Sequence, residues 1–262
     1  MYKVFKCVAC DSNNVEYKET GLAKFIQFRI FGNNTDNGMP IVGMKCLDCS
    51  FVGSADRFTD DETKIYYNGY RDNEYTRTRI MFEPGYTDIE KFNSIAYKTH
   101  RQEGIQKLIK QYIDVDQIHT VLDYGGDNGS VIPDWFDKSK KYVFDISNVP
   151  LTSKVESISL NENKIFDFIL CTHLLEHVSD PSNILGKIKE HANDNTWIYF
   201  EIPNNPAPYI GNIHEHINFF NIKSATALLN RNGFKVIDVC EYGFDSFAVS
   251  HKNNLCILTK LY

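Results

Sequence analysis

Val121-Leu122-Asp123-Tyr124-Gly125-Gly126-Asp127-Asn128-Gly129 is the stretch on which the fold turns. An apolar strand runs straight into a glycine-rich turn, where the missing Cβ atoms let the backbone come close to a ligand. A second strand over 141–144 leads into Val143-Phe144-Asp145, and an acid at that place can accept hydrogen bonds from both hydroxyls of a ribose. A nicotinamide fingerprint needs G-x-G-x-x-G. Counted from Gly125, the later glycine positions hold Asp127 and Ser130, so that fingerprint fails. An acid at Asp127 also repels a pyrophosphate, whereas a phosphate-free cofactor built from an amino acid and an adenosine tolerates it.

Working outward, Ile105, Leu108, Ile109 and Tyr112 stand at i, i+3, i+4, i+7, the spacing of an amphipathic helix. Strands are expected at 120–124, 141–144, weakly at 155–158, then at 166–171 and 196–202. Asp180-Pro181 reads as a helix start, with Asp as N-cap and Pro at the first helical position. A helix over 221–232 closes at Gly233, and two β-rich runs at 234–240 and 255–260 end the chain. Strands alternating with helices predict an α/β, Rossmann-like, mostly parallel sheet with helices on both faces. The last two runs, with no helix between them, predict an antiparallel pair at its edge. The first part of the chain shows little sustained periodicity and carries a polar turn cluster at 33–38. The expected division is a small N-terminal zinc-binding and acceptor-contacting module at 1–87 and a cofactor-binding domain at 88–262.

The 262 residues are 42% hydrophobic, with a formal net charge of -6, which argues against a nucleic-acid surface. No apolar run approaches the roughly 20 residues of a membrane helix, and the N-terminus has no secretory pattern. The expectation is a cytoplasmic protein with reduced thiols, bound to neither membrane nor nucleic acid. Its oligomeric state is not legible. Cys171, Cys240 and Cys256 stand alone in apolar surroundings and read as core residues. The other four form Cys7-x2-Cys10 and Cys46-x2-Cys49, two knuckles that together supply four thiolates for one structural Zn²⁺. The alternatives are two unrelated pairs or a redox dithiol.

Two histidine clusters follow expected strands. His173-x-x-Glu176-His177 matches an inverted zinc-protease signature, but that chemistry needs both histidines on one helix, and here they fall between a strand and a helix cap. His214-Glu215-His216 follows the next strand. Ligands of open α/β sheets bind beyond the carboxyl ends of the strands, so both clusters project toward one place.

Leu122-Asp123, Gly125 and Gly129, with Glu176-His177-Val178-x-Asp180-Pro181 after the 166–171 strand, resemble the class I S-adenosylmethionine (SAM)-dependent methyltransferases. This sequence departs from their first motif where Asp127 replaces the middle glycine, with Gly126 just before it. The resemblance implies that Asp123, Gly125, Gly126 and Gly129 hold the methionine end of SAM and Asp145 its ribose, with His173 on the cofactor side. Together with the cysteine pairs and the His-Glu-His segment, the chain is similar to the sugar C-methyltransferases that act on nucleotide-linked deoxysugars. That similarity implies His216 as the base, Glu215 adjusting it, and His177 facing the acceptor. Residues 66–86 combine tyrosines and arginines, which suit a sugar, a base or a phosphate, and Tyr70, Arg71 and Tyr75 are the acceptor candidates. The function implied is methylation of a small polar acceptor, a sugar nucleotide or other surface-polysaccharide precursor. O-methylation of a phosphorylated or phosphoramidate metabolite, a non-catalytic SAM- and zinc-binding partner protein, and the metalloprotease remain as alternatives.

Overall fold

The structure is a computed structural model describing residues 1–32, 38–70, 72–86, 95–147, 149–159, 161–204, 213, 215–242 and 254–262, with no account of the side chains of 95–98 and 100. The N-terminal elements are β1 (Tyr2–Lys3), β2 (Val15–Leu22), α1 (Lys24–Phe31), β3 (Met39–Cys46), β4 (Val52–Ser54), β5 (Asp56–Arg57), α2 (Asp60–Tyr67) and α3 (Asn73–Phe82). Then follow α4 (Ile95–Ile109), β6 (Thr120–Tyr124), β7 (Lys140–Phe144), β8 (Val155–Ser157), β9 (Phe168–Thr172), α5 (Pro181–Lys189), β10 (Trp197–Pro203), β11 (Asn218–Phe219), α6 (Ile222–Arg231), β12 (Phe234–Tyr242) and β13 (Asn254–Leu261).

Seven strands form the main sheet in the order β12-β13-β10-β9-β6-β7-β8. The five from β10 to β8 are parallel, and β13 pairs antiparallel with both β10 and β12. This is the expected architecture. Every residue of β9 is buried, as befits a strand with helices over both faces. One face packs Ile105, Leu108 and Ile109 of α4 against Val121, Phe168 and Tyr199. The other packs Leu185 and Ile188 of α5 and Leu228 of α6 against Leu122, Ile169 and Phe200. Asp180 caps α5 by accepting from the Asn183 N–H, with Pro181 in the first turn, as its sequence predicts. Asn221 and Ser224 form a reciprocal box at the start of α6.

The first part of the chain is more regular than its periodicity suggests. β2, β3 and β4 form an antiparallel sheet that β11, from the far end of the chain, completes. β2 leaves four successive residues exposed, so its sequence, VEYKETGL, carries no clean apolar alternation. Beside this sheet, α1 to α3 gather around Phe25, Tyr66, Tyr75 and Tyr86. The expected boundary at 87/88 lies outside the described residues, and the β4–β11 pairing crosses it in space. Cys171 and Cys256 are buried. Among the described residues no helix is long and apolar enough to cross a membrane.

Candidate active site

The sheet reverses direction between β6, which continues to β7 and β8, and β9, which continues to β10. A crevice opens beyond the carboxyl ends at such a point, and the glycine turn sits there. Gly125 and Gly129 both have positive φ, at 74° and 76°. A Cβ on Gly126 would lie 2.2 Å from the Asp123 Cγ, so this position has to be glycine for the carboxylate to tuck beneath the turn. Asp127 adopts φ 54°, a left-handed conformation that Asp and Asn enter more readily than other side chains. Its N–H donates to Asp145 Oδ2 at 2.9 Å, which ties the turn to the end of β7. Asp127 is thus accommodated within the turn, at the place of the family's middle glycine.

Asp123 is fully buried, and neither carboxylate oxygen has a hydrogen-bond partner among the described residues. Burial pushes its pKa up to about 7, with Arg101 opposing and Asp145 adding to the rise. An enclosed, unsatisfied carboxylate under a glycine turn suits a ligand bearing a cationic amino group. Asp145 accepts from the backbone N–H groups of Asp127 and Ser147, which fixes its carboxylate and leaves acceptor capacity on both oxygens. These residues fit an amino-acid-plus-ribose cofactor.

The histidines belong to a chain of charges. Arg101 Nε donates to Glu201 Oε1 at 2.9 Å, and His173 Nε2 meets the same oxygen at 2.9 Å. On its other side, His173 Nδ1 lies 3.1 Å from Glu176 Oε1. A ring with a carboxylate at each nitrogen is held as imidazolium. Burial and Arg101 pull the His173 pKa down, but the two glutamates prevail and keep it above its ordinary value. Against the cost of burial, Glu201 is lowered to about 2 by Arg101 and His173, and Glu176 to about 2 by His173, His177 and His216. His173 has φ 51°, and its N–H donates to the Glu201 carbonyl. That strained backbone is what sets its ring between the two acids.

His177 turns outward from this chain. Its Nδ1 lies 3.2 Å from the Glu215 carbonyl, its ring meets the His216 ring edge-on at 4.7 Å between centroids, and Tyr67 packs against its other side. Asn218 staples the two loops. Its amide donates to the carbonyls of Leu175 and Val178, its Oδ1 accepts from Arg57, and the N–H groups of Ile217 and Asn218 both donate to the Glu176 carbonyl.

The Glu215 carboxylate faces α3, where it pairs with Arg79 and accepts from the Tyr70 hydroxyl at 3.4 Å. Tyr70 therefore stands with the histidines. Tyr75 is fully buried among aromatic rings, with its hydroxyl on that of Tyr66. Arg71 and His214 lie outside the described residues.

Away from this crevice, Cys7 Sγ and Cys49 Sγ are 3.6 Å apart, as are Cys10 Sγ and Cys46 Sγ, and all four sulfurs lie within 4.8 Å of one another. Sulfurs at ~2.3 Å from a tetrahedral zinc are about 3.8 Å apart. Both pairs adopt one turn: Asp11 N–H returns to the Cys7 carbonyl and Ser50 N–H to the Cys46 carbonyl, with Asp11 and Ser50 both at positive φ. The cluster has the arrangement of two knuckles facing one metal.

Arg101, Glu201, Arg79 and Asn218 carry this architecture without a role legible in the sequence, and Glu176 is legible there only as a member of its motif. Glu201 sits inside a run of buried β residues, Ile198–Ile202, and a charge in such a place is the one available hint.

Residues 97–239, more than half of the chain, match the family model described as Methyltransferase domain. None of the curated proteins compared with the chain matches it. Among solved structures, the Burkholderia thailandensis 1,6-didemethyltoxoflavin-N1-methyltransferase is similar at 11% identity and a TM-score of 0.54, over 82% of this chain and 97% of that one. A SAM-dependent methyltransferase from Aquifex aeolicus is similar at 19% identity and a TM-score of 0.48, over 67% of this chain and 98% of that one. One from Clostridium acetobutylicum stands at 13% and 0.42, over 61% and 96%. The chain belongs to the methyltransferase domain family, with that family's α/β fold, and it is an enzyme. Family and fold together support a SAM-dependent methyltransferase.

Proposed function

We propose that the enzyme transfers a methyl group from SAM to a small polar acceptor, a sugar nucleotide or related surface-polysaccharide precursor, with His216 as the base. The observation that carries this reading is the meeting of His177, His216, Glu215 and Tyr70 beside the crevice where the glycine turn and Asp145 lie. SAM supplies a methyl on a sulfonium, and the chain's residues supply alignment and proton removal. Asp123, Gly125, Gly126 and Gly129 hold the amino-acid end and Asp145 the ribose, while His173 stiffens the floor between Glu176 and Glu201. His216 takes the acceptor's proton and His177 orients the acceptor. Glu215 acts through position: its carboxylate anchors the segment to Arg79 and Tyr70, and its carbonyl aims His177. Residues 1–87 supply the acceptor-contacting side, with Tyr70 toward the acceptor and Tyr75 as packing behind it, and Arg71 is kept as an acceptor candidate on its sequence alone. O-methylation of a phosphorylated or phosphoramidate metabolite is the second reading, favoured by the two arginines of α3, Arg77 and Arg79.

The test is incubation with SAM and panels of nucleotide sugars and phosphorylated metabolites, read by mass spectrometry. A one-methyl mass gain in a sugar nucleotide is expected. Methylation confined to the phosphorylated metabolites transfers the function to the second reading. SAM binding without turnover of any acceptor points to a non-catalytic partner protein.

Two expectations concern the bound groups. Asp145→Ala weakens SAM binding by roughly 1.5–3 kcal/mol, the range for hydrogen bonds to a charged group. Calorimetry showing unchanged affinity removes Asp145 from the ribose site. The four clustered cysteines bind one structural zinc, so elemental analysis of the purified protein gives near-equimolar metal, lost in Cys46→Ser and in Cys49→Ser. Full zinc retention in both variants rejects that site.

A further inference from the structure

We infer that Glu176, His177 and His216 form a second metal site, separate from the thiolate cluster, that takes a divalent transition-metal ion. One ligand atom from each of the three lies within 4.8 Å of the other two. Distance alone is weak ground for a site, and three further observations strengthen it.

The first is the carboxylate. Glu176 is 1% exposed, and neither oxygen receives a hydrogen bond among the described residues. His173 Nδ1 approaches Oε1 at 3.1 Å in a geometry that falls short of one. The His173 imidazolium already faces Oε1, so what the enclosed carboxylate still offers is acceptor capacity for a second cation, Oε2 above all.

The second is the tautomer of His177. A carbonyl oxygen can only accept, so the contact of Nδ1 with the Glu215 carbonyl at 3.2 Å puts a proton on Nδ1. In the neutral ring the lone pair is then on Nε2, and Nε2 points to Glu176 Oε1 at 3.7 Å. That separation is long for a hydrogen bond and suits two ligands of one ion. A ligating histidine characteristically gives its other N–H to a carbonyl or carboxylate, which fixes ring orientation and raises basicity.

The third is the disposition of the two rings. Their centroids are 4.7 Å apart at an interplanar angle of 80°. Two imidazoles bound side by side at ~2.1 Å from one ion place their ring centres about 4.6 Å apart at a right-angled ligand geometry and about 5.3 Å at a tetrahedral one, so the observed spacing fits the former. Preorganisation comes from the backbone, because the Ile217 and Asn218 N–H groups and the Asn218 amide lock the two loops together.

Two neutral imidazoles and one carboxylate suit Zn²⁺, Co²⁺, Mn²⁺ or Fe²⁺ and leave positions for water or an acceptor oxygen. The set differs from the metalloprotease pair His173 and His177, since His173 has an acid at each nitrogen and no lone pair to give. Under the base role proposed above, on which this one consequence rests, ion and proton compete for the same nitrogen of His216. Occupancy by a tightly held ion therefore slows methyl transfer.

The experiment is Co²⁺ titration of the full-length, zinc-loaded protein, followed by absorption spectroscopy and equilibrium dialysis without acceptor or SAM. A second equivalent is expected, with weak d–d bands and none of the intense sulfur-to-cobalt charge transfer of a thiolate site. His216→Ala and His177→Gln, at half-buried rings whose loss spares the core, weaken that equivalent at least ~10–100-fold and leave the cysteine-bound metal in place. A total of one metal per chain overturns the inference, whether or not cobalt exchanges into the thiolates, and so does a second equivalent that both variants retain. Because the readout needs no turnover, it stands apart from any failure of the acceptor assignment.

Discussion

Replacing His216 by alanine or asparagine is expected to lower kcat by about 10²–10⁴-fold, the usual contribution of acid–base assistance, while SAM affinity stays close to wild type. The ring stands beyond β10, edge-on to His177, on a segment whose next two N–H groups are bonded to the Glu176 carbonyl. Such a ring is held in place without being part of the cofactor's glycine turn, so its loss should strike the proton-transfer step and spare the donor. His177→Asn acts mainly on the acceptor KM, since this ring is aimed from below by the Glu215 carbonyl. The comparison also reports on the acceptor. A hydroxyl or carbon acid needs its proton removed, whereas an already ionised phosphoryl oxygen does not. Steady-state kinetics giving wild-type kcat for the His216 variants across the pH range would reject the base role and favour a pre-ionised acceptor.

The core fold was legible because its rules are local. A strand running into glycines, an Asp-Pro helix start and a terminal pair of strands without a helix between them each have one structural solution, and β6, α5, β12 and β13 adopt it. The boundaries moved by a residue or two where side chains rather than backbone signals mark the end: 166–171 became Phe168–Thr172 because Phe166 and Asp167 bond to the loops at the foot of the sheet instead. The N-terminal sheet was not legible, since β2 is largely exposed and β11, which completes the sheet by pairing with β4, lies about 165 residues from that partner in sequence, as Asn218 opposite Gly53 shows. The site was legible at its surface and opaque beneath. Histidines and glycines announce themselves by type and spacing. What sets their charge, Arg101 on α4 and Glu201 at the end of β10, becomes a pair only when the helix crosses the sheet. No periodicity within either element reports that meeting.

The same buried pair supports the second large effect: Glu201→Gln is expected to destabilise the protein by about 3–5 kcal/mol, the cost of removing one partner from a buried ionic network. Glu201 is 2% exposed and serves Arg101, His173 and Asn254 through one oxygen and the Tyr199 hydroxyl through the other. Glutamine keeps the shape but leaves two cations facing a neutral amide. Urea unfolding at neutral pH measures the loss, and an unchanged midpoint and slope would mean that the charges are screened and the network contributes little. The pH dependence supplies an independent check. Both Glu201 and Glu176 are lowered from 4.5 to about 2, so their contribution is full above about 4.5 and is lost as pH falls toward 2. His173 has the opposite sign: its raised pKa gives a contribution complete below its ordinary 6.5 and lost as pH climbs through the raised value. Asp123 also costs stability as pH rises, but earlier: with its pKa raised from 3.8 to about 7, the loss accrues between those values, where the unfolded carboxyl is ionised and the buried one keeps its proton, and it is complete above about 7. Wild-type protein without cofactor should therefore be most stable in a mildly acidic window. Glu201→Gln should flatten the acid side of that window, because one of the two lowered acids is gone, and SAM should lift the alkaline side by giving the Asp123 carboxylate a cationic partner.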